Sequence, residues 1–217
     1  MEIKMRGVSP SWVKLQDILN PKKDSYFYEV WQNKFGLATA RELTLKSLFK
    51  YETYREEGNK DRITMSLVTD EIIYNIENFI YRLYIFREKL CQFLNEVLLL
   101  GYTDNQINFD KILKDKKIIR LGLNIPLSRF KSSALLSELI KYRRFYTHQK
   151  IIGTRFTQSV SKFPPLPLHN PKVGLGFKDW AVTWTDNVMV ESFNEVNEIL
   201  EDTSKIILRQ TADKKYS

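Results

Sequence analysis

TDEIIYNIENFIYRLYIFREKLCQFLNEVLLL, residues 69–100, is the longest regular pattern in the chain and decides its fold class. Ile72, Ile76, Phe79, Leu83, Phe86, Leu90, Phe93, Val97 and Leu100 recur at alternating spacings of four and three, which places all nine along one seam of a helix. Thr69 and Asp70 offer N-cap side chains, and Gly101 follows the last apolar residue, so the spacing predicts a helix over 69–100. A seam of that length has to be buried against other helices. Glu77, Arg82, Arg87, Glu88, Asn95 and Glu96 fall mostly off it and are expected on a solvated face.

On the N-terminal side, residues 38–57 use good helix formers, with Leu43, Leu45, Leu48, Phe49 and Tyr51 as the expected apolar face and Gly58-Asn59 as the stop. Residues 1–36 form an expected extension packed on this core. It opens with a short amphipathic pattern (Trp12, Val13, Leu15, Ile18, Leu19) stopped by Pro21, and continues with Tyr26, Phe27, Tyr28, Trp31 and Phe35. On the C-terminal side, residues 102–128 read as a connector containing the basic segment DKILKDKKIIR (110–120). Pro126 disfavours a helix before it, and Phe130, Leu135, Leu136, Leu139, Ile140, Tyr142 and Tyr146 predict one over 129–150. SKFPPLPLHNPKVGLGF (161–177) holds four of the seven prolines and reads as an extended surface connection. Asp186 is then the expected cap of a last helix over 187–210, with Met189, Phe193, Val196, Leu200 and Ile207 in its core face. Residues 212–217 are a polar tail. The predicted architecture is all-α: a helical bundle of four main helices over residues 37–211, with an N-terminal extension and a proline-rich loop before the last helix.

Composition narrows the chemistry. Across 217 residues the formal charge is +8, which suits an anionic partner such as a nucleic acid. The single cysteine, Cys91, forms no internal disulfide, lies inside the long apolar pattern and fits a reducing, cytoplasmic setting. The N-terminus has no uninterrupted apolar run of a signal peptide, and no stretch is long and uncharged enough to span a bilayer. Neither a glycine-rich phosphate loop nor a paired-cysteine or His-Glu metal spacing occurs, so no metal or other cofactor is expected.

One of the two histidines falls in KYRRFYTHQK, residues 141–150. An RNA backbone is cleaved without metal when the ribose 2′-hydroxyl loses its proton and attacks the neighbouring phosphorus. His148 suits the proton transfer because imidazole titrates near neutrality. Arginine suits the phosphoryl group, since its planar fork stays charged and can hold two oxygens. Arg143 and Arg144 both stand ready for that role. On a regular helix Arg144 and His148, four apart, share a face, whereas Arg143 diverges from His148 by about 140°. Tyr142, Phe145 and Tyr146 can stack bases, and Lys141 and Lys150 can meet phosphates. A solvated or paired Arg144, and a His148 that only caps a helix C-terminus, are the plainer readings. His169, among prolines, reads as a surface imidazole. Asp70, Glu71 and Glu77 could orient His148, although capping accounts for acidic residues at a helix start.

RRFYTH, Arg143 to His148, resembles the signature of the HEPN superfamily, an arginine followed after four to six residues by histidine in a basic all-α bundle. Arg144 stands where that family commonly has Asn, Asp or His. ENFIYRLYIFREKLCQFLN, residues 77–95, is also similar to the long helix of bacterial members. The resemblance implies a homodimer whose two motifs face one another, acting as a metal-independent endoribonuclease in anti-phage defence or a toxin-antitoxin system. It also implies RNA as substrate, an antitoxin or defence-complex partner, and Arg143 and His148 as the working pair. The alternative is a non-catalytic HEPN-like subunit that binds RNA or regulates a larger complex.

Overall fold

The computed structural model describes residues 9–19, 25–58, 60, 62–137, 139 and 177–213. Its elements in chain order are α1 (Pro10–Ile18), α2 (Ser25–Gly58), α3 (Arg62–Val97), one 3-10 turn (Asp104–Gln106), α4 (Phe109–Leu113), α5 (Lys116–Arg120), α6 (Asn124–Ser132) and α7 (Phe177–Asp213). No strand occurs among the described residues, so the fold is all-α.

The seam of α3 is the centre of the core. Phe79, Leu83, Phe86, Leu90 and Phe93 are buried, Ile76, Val97 and Leu100 are partly buried, and Cys91 is enclosed beside them. Each fully buried side chain of this kind contributes roughly 1.5–3 kcal/mol. Burial also pushes the Cys91 thiol up to about 12, so it stays a neutral apolar filler. Helix α3 begins at Arg62 rather than at 69, and Thr69 and Asp70 lie inside it instead of capping it. The run between the turn and Thr69 contains neither Gly nor Pro, and once a helix is nucleated each added residue gains a hydrogen bond.

Helix α2 folds back along α3 with only residues 59–61 between them. The pairing is antiparallel: the place a Cβ would take at Gly36 is 3.5 Å from Lys89 Cδ. Helix α2 starts at Ser25, so the boundary expected at 36/37 falls within it. Its buried face is Lys34, Leu37, Ala40, Arg41, Thr44, Ser47, Leu48 and Tyr51. Leu43 and Leu45 are only half-buried and Phe49 is exposed, so the apolar face expected from sequence is rotated from the real one. The polar side chains are satisfied locally: Thr44 Oγ1 donates to Ala40 O (2.8 Å) and Ser47 Oγ to Leu43 O (3.0 Å).

Helix α1 closes one end of the bundle. Trp12, Leu15 and Leu19 are buried, and the Trp12 ring meets Phe93 edge-on at 5.4 Å. Ser9 caps α1 by accepting from Trp12 N (3.1 Å) and donates to Glu201 of α7 (2.5 Å). Glu201 also accepts from Ser11 N (2.9 Å) and Ser11 Oγ (2.6 Å). Burial alone would raise the Glu201 carboxyl, but the Ser11 and Ser9 hydrogen bonds outweigh it and hold it at about 2.

Helix α7 runs from Phe177, ten residues before the expected start, because nothing between Gly176 and Asp186 breaks a helix; Asp186 lies within it and is no cap. Met189, Phe193, Val196, Leu200 and Ile207 are buried as their spacing predicts. Helix α6 begins before Pro126, which sits in the first turn where its missing N–H has no intrahelical partner to lose. The helix predicted over 129–150 is broken at Ser133, which is extended (φ −66°, ψ 121°). Residues 134–137 turn helical again beyond it.

Candidate functional site

The chain reaches the Arg143–His148 segment from a fixed anchor. Arg129 of α6 pairs with Glu198 (2.7 Å), Glu195 (3.6 Å) and Asp202 (3.8 Å) on α7. Ser133 Oγ donates to Glu195 (2.7 Å) and accepts from Leu136 N (3.2 Å), capping the helical turn that follows. Leu136 and Leu139 are buried, so the backbone is held in the core two residues before Lys141. Lys141, Tyr142, Arg143, Arg144, Phe145, Tyr146, His148, Lys150 and His169 lie outside the described residues. Of the acidic candidates, Glu71 is exposed on α3 and Glu77 half-buried, and the Asp70 side chain lies outside the described residues.

Two polar positions on α3 are structural rather than solvated. Arg87 bonds Glu88 (2.8 Å) and lies over the rings of Tyr84 (4.7 Å) and Phe109 (4.9 Å), joining α3 to α4. Asn95 is buried and pins the loop after α3, donating to Tyr102 O and accepting from Tyr102 N, both at 3.0 Å. A second buried polar pair joins α2 to α7. Arg41 is 7% exposed, donates from Nε to Asn197 Oδ1 (2.8 Å) and stacks over Phe193 at 5.3 Å. Burial pulls its guanidinium below the ordinary arginine value. Periodicity conceals this position because it counts only apolar residues.

The basic segment is folded into α4 and α5, beneath the end of α3. Asp115 caps α5 by accepting from Lys117 N (2.7 Å) and Ile118 N (3.2 Å), and it takes the Tyr102 hydroxyl at 2.7 Å. Burial raises the Asp115 carboxyl, but these donors bring it below the usual carboxylate range. The Lys117 ammonium donates to Leu98 O at the end of α3, and Lys111 lies 4.5 Å over the Tyr102 ring. A surface cavity of about 410 Å³ opens here, lined by Leu99, Leu100, Tyr102, Lys114, Asp115, Lys116 and Lys117. No group of three or more His, Cys, Asp and Glu side chains able to hold a metal occurs among the described residues.

The model of the Cthe2314-like HEPN family matches residues 43–209, from the middle of α2 to the last turns of α7. The chain belongs to this HEPN family. The HEPN match takes in α3 to α6 and the Arg143–His148 segment, and it leaves α1 and the first part of α2 outside. No curated protein and no solved structure matches the chain. Among the described residues no helix is long and apolar enough to cross a membrane.

Proposed function

We propose that this HEPN protein is a metal-independent endoribonuclease working as a homodimer in anti-phage defence or a toxin-antitoxin system. His148 moves the proton of the 2′-hydroxyl or of the leaving group, and Arg143 steadies the charge that builds on the phosphoryl oxygens, with Arg144 as the neighbouring candidate for that task. Tyr142 and Tyr146 stack bases while Lys141 and Lys150 meet the backbone. The observation that carries the reading is that the HEPN match, residues 43–209, contains the arginine and histidine at the family's spacing. The buried anchor at Leu136 and Leu139 supports it, since a catalytic segment needs a rigid approach.

The test is incubation of the purified chain with RNA in EDTA. Cleavage with cyclic-phosphate ends is expected, and His148→Ala should lower the rate by about a hundred- to ten-thousand-fold. Activity that needs an added metal, or that survives in His148→Ala, overturns the mechanism. RNA that is bound and left intact by the wild-type chain identifies the non-catalytic subunit instead.

A further inference from the structure

Between Phe109 and Arg120 five cations (Lys111, Lys114, Lys116, Lys117, Arg120) stand against two carboxylates. Both carboxylates are already occupied. Asp110 is held by Lys131, and Asp115 by the Tyr102 hydroxyl and two backbone N–H groups. Two of the cations are occupied as well, Lys117 by the Leu98 carbonyl and Lys111 by the Tyr102 ring. Lys114, Lys116 and Arg120 remain, all exposed; Lys114 also feels the Asp110 carboxylate one turn back, which Lys131 already holds. Lys114 and Lys116 line the cavity of about 410 Å³, and Arg120 lies one turn along α5 on the same side as Lys116.

Leu99 supplies an apolar element beside these charges. It holds φ +50° and is 65% exposed. A left-handed conformation costs a side-chain-bearing residue roughly 1–2 kcal/mol, and Leu99 recovers little of that by burial. A strained, exposed leucine at the wall of a cavity lined by three lysines, with its one carboxylate, Asp115, turned to Tyr102 and the start of α5, fits a ligand with both negative charge and an apolar face, as a nucleotide strand has.

We propose that this surface binds the backbone of single-stranded RNA, with Lys114, Lys116 and Arg120 on phosphates and Leu99 against an unpaired base. The inference rests on RNA being the substrate proposed above, and it adds a docking surface outside the Arg143–His148 segment.

The experiment uses the full chain carrying His148→Ala and a fluorescent single-stranded RNA, with binding followed by anisotropy from 50 to 200 mM salt. Adding Lys114→Ala, Lys116→Ala and Arg120→Ala should weaken binding at least about tenfold and reduce the slope of log K against log salt by about 2. Lys46→Ala, Lys50→Ala and Lys60→Ala together remove the same charge from exposed positions elsewhere and should change affinity far less. Equal losses in the two triple variants, or no loss in the first, overturn the inference. With His148 intact, the first triple variant should raise KM for RNA and leave kcat unchanged. A wild-type chain that cleaves RNA while the first triple variant binds as tightly as its parent sinks this surface and leaves the nuclease standing. A wild-type chain that leaves RNA intact while that variant loses binding sinks the nuclease and leaves this surface standing. Absence of RNA binding in every variant sinks the surface.

Discussion

Helices α2 and α3 are nearly equal in length, 34 and 36 residues, and lie against one another, yet they bury different chemistry. The buried seam of α3 is phenylalanine and leucine. The face that α2 buries includes Lys34, Arg41, Thr44 and Ser47 among its apolar residues, whereas the polar side chains α3 buries, Asn75 and Asn95, lie off its seam. The difference teaches that α3 supplies bulk hydrophobic stability, while α2 contributes contacts that work only when each polar atom finds its partner. Loss of an α3 ring should therefore be the most damaging single change. Phe86→Ala, at a fully buried position, is expected to cost about 3–5 kcal/mol, read as a fall in the urea midpoint that is the same at pH 7 and pH 4.

Polar contacts should instead reveal themselves by pH. The Glu201 carboxyl that holds α1 titrates at about 2 when folded, against an ordinary value of 4.5. Because the folded value is the lower one, its contribution is fully present above 4.5 and disappears as pH falls from 4.5 toward 2. Between pH 6 and pH 3 the expected loss is about 2 kcal/mol. Glu201→Gln should remove this part of the acid dependence, and urea unfolding at pH 6 and pH 3 checks it. An unchanged acid dependence in the variant would mean that the Glu201 charge does not hold α1, leaving that to the buried Trp12, Leu15 and Leu19.

The same contrast governs how much of the molecule can be read from its residues. The α3 seam is legible because every position on it is apolar, and the all-α fold and the α7 core follow from the same rule. The extent of α3 is not, since Thr69 and Asp70 have the chemistry of caps and only the continuing backbone shows that they serve inside a helix. The α2 face is hidden because Arg41, Thr44 and Ser47 look solvated: Arg41 finds Asn197 only when α7 is brought to it, and Thr44 and Ser47 go into the core with their hydroxyls turned back on the Ala40 and Leu43 carbonyls of their own helix. At the candidate sites the Arg143–His148 spacing and the basic segment are both visible in the chain. Which lysines of that segment are consumed by Leu98 and Tyr102, and which are left for a ligand, depends on packing that no local pattern encodes.

Arg41 sharpens the comparison at a smaller scale. Arg41→Met removes a desolvated cation but leaves the Asn197 carbonyl buried without its donor, and the opposing effects should leave a net loss of about 1 kcal/mol. Asn197 Nδ2 already lacks a hydrogen-bond partner among the described residues. Adding Asn197→Leu should therefore restore wild-type stability or exceed it, measured by the urea midpoint. A double variant less stable than Arg41→Met would show that the pair stabilises α2 against α7 and is not merely accommodated there.

The smallest effect has the opposite sign. Leu99 N bonds Glu96 O (3.1 Å) and Leu100 N bonds Asn95 O (2.9 Å), the closing pattern that ends α3 with one left-handed residue, a place that favours glycine. Leu99→Gly relieves the left-handed strain and gives back part of that gain as unfolded-chain entropy, so a net stabilisation of about 0.5–1 kcal/mol is expected in thermal or urea unfolding. With the leucine 65% exposed, little packing is lost to offset it. If Leu99 is kept for an RNA base, the same variant should be more stable and bind RNA several-fold more weakly. A variant that is more stable and binds RNA as tightly as its parent would leave the three cations as the whole of the docking surface, and Leu99 as strain that the end of α3 tolerates.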